Sequence, residues 1–105
     1  MRYLLILTAL LTFQSVNASE PDVDFDKIKP QAEQGDKFAQ YILGRMYYLG
    51  SGVPENAVEA VKWFRKAADQ GIVDAQYSLG GMYADGKGVP ENDAEAVKWY
   101  RKAAG

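Results

Sequence analysis

Apolar residues are laid out along this chain in two ways. Residues 3–13 form an almost unbroken apolar run behind Met1 and Arg2. From residue 36 onward, apolar positions recur at helical spacing between short glycine-rich breaks. Ala60, Trp63, Phe64, Ala67 and Ala68 fall on one stripe of a helix at about 100° per residue. Residues 36–49 predict one helix, with Asp36 as its N-cap. Residues 56–69 predict a second, with Asn56 as N-cap and Glu59 three residues on, the spacing of a capping box. Residues 72–85 and 92–104 predict the same pair again, with Asn92 and Glu95 in the capping positions. Residues 50–54 and 86–90 are the intervening loops, and Gly35 and Gly71 stop helices as C′ glycines. An acidic, extended lead-in (19–26) and a half-helix over 27–34 that contains Pro30 come first.

The pattern is a repeat. VPENAVEAVKWFRKAA at 53–68 returns as VPENDAEAVKWYRKAA at 89–104. Gly35 and Gly71, Tyr41 and Tyr77, and Trp63 and Trp99 are each separated by 36 residues. Such a period points to stacked supersecondary units. The units run 35–70 and 71–105, and residues 32–35 align with 68–71, so residues 19–34 carry the tail of an incomplete earlier unit. Gly44 and Gly80 recur in mid-helix, where glycine costs about 1 kcal/mol against alanine. Their recurrence predicts a neighbouring helix that approaches closely. The expected fold is all-α: two helix-turn-helix repeats preceded by a partial helix.

Composition narrows the chemistry. The chain has 105 residues and a formal net charge of −2, with no cysteine and no histidine. Mixed charge offers no electrostatic footprint for nucleic acid. A disulfide framework, a thiol nucleophile, the usual neutral-pH base and the commonest metal ligand are all missing. No cofactor is expected. Residues 1–18 have the form of a secretory signal peptide, with Val16 and Ala18 at the small-residue positions of a cut after Ala18. The expected location is outside the inner membrane, in a bacterial periplasm, and the expected mature chain runs from Ser19 to Gly105.

Ala39-Gln40-Tyr41, Leu43-Gly44, Met46-Tyr47, Gly50, Gly52-Val53, Ala60, Trp63 and Lys66-Ala67-Ala68, repeated from Ala75 to Ala104, resemble the Sel-one-like repeat, a relative of the tetratricopeptide repeat. The resemblance implies a short right-handed α-solenoid and a role in holding protein complexes together. It implies no activity. Some disulfide-rich members bind penicillin-like compounds, and this chain lacks their cysteines.

Comparing the two units locates candidate partner-binding surfaces. Phe38/Asp74, Ile42/Ser78, Arg45/Gly81 and Leu49/Asp85 differ between copies and fall within a stripe roughly 60° wide on the first helix of each unit. In solenoids such a face commonly lines the concave binding surface. Phe38, Ile42, Arg45 and Leu49 with Asp74, Ser78 and Asp85 are therefore candidate contacts for a peptide or protein, unless residues 27–34 cover the apolar ones. The second candidate is the last helix, where the face bearing Ala96, Trp99, Tyr100 and Ala103 is expected to be partly exposed. Self-association through it would supply missing cover. Alternatively, Trp99 turns inward to its own unit and leaves only a small patch.

Other signals read as structural. Gly50-Ser51-Gly52 and Gly86-Lys87-Gly88 lack the strand and ending of a phosphate loop. The carboxylates of 85–95 are interrupted by Lys87 and Val89 where a calcium loop needs oxygen ligands. Lys62, Arg65 and Lys66, repeated as Lys98, Arg101 and Lys102, read as a solvated basic face, and Glu59 is placed to pair with Lys62. Tyr41, Tyr47, Tyr77 and Tyr83 recur with the repeat and read as packing residues. The function expected is an exported, non-catalytic protein-interaction module. An inhibitor or immunity protein for an exported toxin, and a binder or hydrolase of cell-wall fragments, are the alternatives.

Overall fold

The computed structural model describes residues 24–105, so residues 1–18, where a signal peptide is expected, lie outside the described residues. Five helices follow in order: α1 Phe25–Glu33, α2 Lys37–Leu49, α3 Ala57–Asp69, α4 Val73–Asp85 and α5 Asp93–Ala104. There is no strand among the described residues. Each helix packs on its neighbours in sequence, giving an all-α solenoid of two hairpins, α2–α3 and α4–α5, with α1 ahead of them.

Local signals place most helix ends. Asp36 accepts from the backbone N–H groups of Phe38 and Ala39, and Asn56 accepts from that of Glu59. The reciprocal half of the capping box is not made. The Asn56 N–H donates instead to the Tyr47 carbonyl at 2.9 Å, and Asn92 does the same to Tyr83. That bond ties each second helix to the end of the first. The N-cap of α4 is Ile72, with no side-chain cap bond, because the repeat puts an apolar residue where Asp36 stood. Ile72 packs against the core instead. Gly71 ends α3 at φ +90°, a conformation that costs a residue without Cβ nothing. The Ile72 N–H then reaches the Ala67 carbonyl at 3.1 Å, the bond that closes a Schellman turn.

The first helix begins earlier than the half-helix expected over 27–34. Asp24 caps it by accepting from Asp26, so Phe25 and Asp26 are helical rather than part of an extended lead-in. Pro30 sits inside it. Shifted by one period, Phe25, Ile28 and Ala32 correspond to Val61, Phe64 and Ala68 of α3. They also do the same work. Phe25, Ile28 and Ala32 pack around Ala39, Leu43 and Met46 of α2, as the α3 face packs around Ala75, Leu79 and Met82 of α4. Gln40 Nε2 donates to the Ala32 carbonyl at 3.2 Å, and Gln76 Nε2 to the Ala68 carbonyl at 3.1 Å. The same buried bond therefore crosses both junctions, and α1 acts as a shortened second helix for a preceding unit.

The mid-helix glycines mark the close approach inside each hairpin. A Cβ on Gly44 would lie 2.6 Å from Phe64 Cδ1, and one on Gly80 would lie 2.8 Å from Tyr100 Cδ1. Phe64 is fully buried, whereas Tyr100 is half-buried. The two glycines should therefore respond differently to the same change. Gly44→Ala forces overpacking that costs roughly 1–3 kcal/mol, more than the propensity gain of about 1 kcal/mol. Gly80→Ala lets the Tyr100 ring swing outward and should stay within about 1 kcal/mol of the parent. Urea melts of the two variants check the contrast.

Candidate functional site

A groove of about 330 Å³ opens between α2 and α4. Tyr41, Arg45, Tyr48 and Leu49 form the α2 wall, and Tyr77, Ser78, Gly81 and Asp85 form the α4 wall. Phe64 and Met82 lie beneath, and Lys87 reaches in from the last loop. Four of the residues that differ between the units, Arg45, Leu49, Ser78 and Asp85, are thus brought to one cavity. Gly81, the counterpart of Arg45, keeps the α4 side low. Phe38, Ile42 and Asp74 do not line the groove. Ile42 is half-buried against the cluster that includes Phe25 and Ile28, so α1 covers it in part. Phe38 remains 63 % exposed, beneath the Lys37 ammonium.

Tyrosines matter more at this site than their recurrence suggested. Tyr77 is 66 % exposed and stands 5.1 Å from the Tyr100 ring, so it is a groove residue and not a core one. Tyr41 is half-buried and packs on Phe64, with Arg45 over its face at 6.0 Å. Tyr48 also packs on Phe64, and Lys87 Nζ sits over its ring at 4.4 Å. The sequence held a signal for Tyr48 that the four-pair stripe missed: its counterpart is Ala84, another difference between the units. Tyr47 and Tyr83 are packing residues, Tyr47 making an edge contact with Phe25 at 5.9 Å.

The basic face of α3 is only partly solvated. Lys62 and Lys66 flank the Trp63 ring, and Lys62 reaches Glu59 at 3.9 Å. Arg65 is half-buried, donates to the Tyr83 hydroxyl and lies over its ring. It therefore ties the first hairpin to the second, while its counterpart Arg101 is exposed.

At the last helix, Trp99 follows the second of the two readings and turns inward to its own unit. Ala96 and Trp99 are buried, and Trp99 packs with Ala75, Leu79 and Met82 of its own unit. Tyr100 and Ala103 are half-buried. A second helix of this fold has two apolar faces roughly 60–100° apart. One, with Trp99, turns to its own hairpin, and the other turns to whatever follows. On α3 the second face is Val61, Phe64 and Ala68, all sealed beneath α4. On α5 the equivalent residues are Val97, Tyr100 and Ala104. Val61 is 5 % exposed and Val97 is 45 % exposed. The open surface is thus centred on Val97 and Tyr100; the expected face held Tyr100 but not Val97.

Among the described residues no three acidic side chains cluster to hold a metal ion, and no helix is long and apolar enough to cross a membrane.

Repeated helical hairpins joined by the same buried glutamine bond, with a groove between successive first helices, define an α-solenoid repeat protein. The Sel1 repeat pattern matches residues 37–72 and 73–104. The chain belongs to the Sel1 repeat family, whose members generally act as protein-interaction modules. A putative sel1-like repeat-containing protein of Acanthamoeba polyphaga mimivirus is 43 % identical over 58 % of this chain and 12 % of its own length. The secretory immunoglobulin A-binding protein EsiB of Escherichia coli is 41 % identical over 59 % of this chain and 12 % of its own. The crystal structure of a Sel1 repeat protein from Oxalobacter formigenes superposes with a TM-score of 0.72 at 47 % identity, covering 73 % of this chain and 22 % of that one. The chain therefore spans about an eighth of the curated relatives it matches.

The two valines give a direct check on the α5 surface. Val61→Asp buries an unpaired carboxylate and should abolish cooperative folding. Val97→Asp should shift stability by no more than about 0.5 kcal/mol. Trp99→Ala, by contrast, should cost about 3–5 kcal/mol. Thermal melts by circular dichroism distinguish the three.

Proposed function

We propose that this protein is an exported, non-catalytic interaction module whose groove between α2 and α4 grips a segment of another protein. The observation that carries the reading is the origin of the groove's lining. Arg45, Tyr48, Leu49, Ser78, Gly81, Asp85 and Lys87 all differ from their counterparts in the other unit. Stacking demands similar residues at packed positions, so a groove lined by differing ones is free to serve a ligand. Its volume falls at the lower end of the range of ligand sites, enough for a few side chains of an extended segment. The Escherichia coli relative named for binding secretory immunoglobulin A is consistent with protein recognition by this fold. Export rests on the pattern of residues 1–18, and periplasm is the compartment it suits.

A photo-crosslinking amino acid placed at Tyr77 or Leu49 should join to the same protein in cells, while one at Val58 on the outer face of α3 should not. Equal labelling from all three positions, or from none, would count against the groove. Mass spectrometry of the purified protein should find Ser19 at its N-terminus; an intact Met1 would remove the argument for a cleaved leader.

Self-association is a second reading, favoured by the exposure of Val97 and Tyr77 beside Tyr100. Sedimentation of the parent should then show concentration-dependent dimers that Val97→Asp abolishes.

A further inference from the structure

We infer that the groove selects a peptide segment in which a carboxylate stands next to an apolar or aromatic side chain. This rests on the groove being the binding face and adds the chemistry of what it takes. Two cations frame the cavity. The Arg45 guanidinium lies over the Tyr41 ring and the Lys87 ammonium over the Tyr48 ring. Among the described residues neither reaches a carboxylate at ion-pair distance; the one ion pair there is Lys62 with Glu59. A ring face steadies a cation from one side and leaves its outward N–H groups free. Arginine's planar fork then matches a carboxylate with two parallel hydrogen bonds.

Neither cation belongs to the repeat. The counterpart of Arg45 is Gly81, that of Lys87 is Ser51, and that of Tyr48 is Ala84. The arrangement exists once, at the α2–α4 junction, in a chain whose net charge is negative. In the same lining, the exposed Leu49 and Tyr77 offer apolar surface for a neighbouring side chain. Asp85 is the one acidic residue of the lining. Its charge repels a second carboxylate, so the groove suits one acid and not an acidic run.

Fluorescein-labelled peptides Gly-Ser-Glu-Phe-Ser-Gly, with Gln or Lys replacing Glu in two others and Ala replacing Phe in a fourth, test this by fluorescence anisotropy. The Glu-Phe peptide should bind about tenfold tighter than the Gln form, the order expected for one charge-assisted contact. The gap should narrow as salt rises. Arg45→Glu with Lys87→Glu should reverse the preference toward the Lys peptide without lowering the melting temperature, since both residues are exposed. Asp85→Asn should tighten the Glu-Phe peptide. Equal binding of the Glu and Gln forms, sensitive to a groove-filling Gly81→Trp, would overturn the charge selection and leave the groove reading standing. Failure of every peptide to bind would sink both. Tighter binding of a short single-stranded oligonucleotide, competing at the groove, would replace the carboxylate by phosphate and overturn the proposal.

Discussion

A helical hairpin of this kind cannot bury the second face of its second helix by itself. Val61, Phe64 and Ala68 are sealed because α4 lies on them, and the Gln76 amide fixes the register by donating to the Ala68 carbonyl. Full burial of a side chain such as Phe64 stabilises by about 1.5–3 kcal/mol, and losing it to alanine costs about 3–5 kcal/mol. The buried amide bond adds about 1 kcal/mol, and leaving its carbonyl unmet would cost more. Phe64 also fills the space left by Gly44 in its own hairpin. One side chain thus holds both the hairpin and the junction.

The groove is a by-product of that stacking. Two first helices set side by side by the α3 face leave a channel along their outer flanks. Stacking places Tyr41 and Tyr77 along it and seats Tyr48 on Phe64, but it dictates little about residues 45, 49, 78, 81, 85 and 87. These positions carry Arg45 opposite Gly81, a tall cation facing an empty place. Tyr48 stands in a spot that the other unit fills with alanine. Divergence between copies has concentrated there because packing exerts little restraint, and any selection for a partner acts on the same residues.

Periodicity made the fold legible. The helix pairs, the glycine approach at Gly44 and the buried stripe of Ala60, Trp63 and Ala67 all follow from residues that both units share. Where the sequence reading fell short, one helix had two jobs. The stripe through Trp99 described the face turned to its own hairpin, and the face turned outward begins at Val97, displaced around the helix. Tyr77 looked like core because Tyr41 shares its place, yet the same residue is half-buried at a junction and exposed where no helix follows it in the described chain. Arg65 looked solvated because its helix face is basic, but a neighbouring unit brings the Tyr83 hydroxyl within its reach. Position in a repeat states a residue's type; burial depends on what lies beyond it.

The two ends of the described chain answer the same need differently. At the front, Phe25, Ile28 and Ala32 reproduce the spacing of Val61, Phe64 and Ala68 on a helix of only nine residues. The Ala32 carbonyl even receives the glutamine bond that Ala68 receives. That helix keeps the contacts of a preceding unit and dispenses with the rest of it. At the back, Tyr100 takes the place of Phe64. A tyrosine ring covers Gly80 about as well as phenylalanine covers Gly44, and its hydroxyl tolerates water where a buried Phe64 meets none. The substitution preserves the hairpin contact and relaxes only the junction contact. Those two contacts are therefore separable in the chemistry of one position, and the outward face of α5 keeps the shape of a docking surface with a wetter edge.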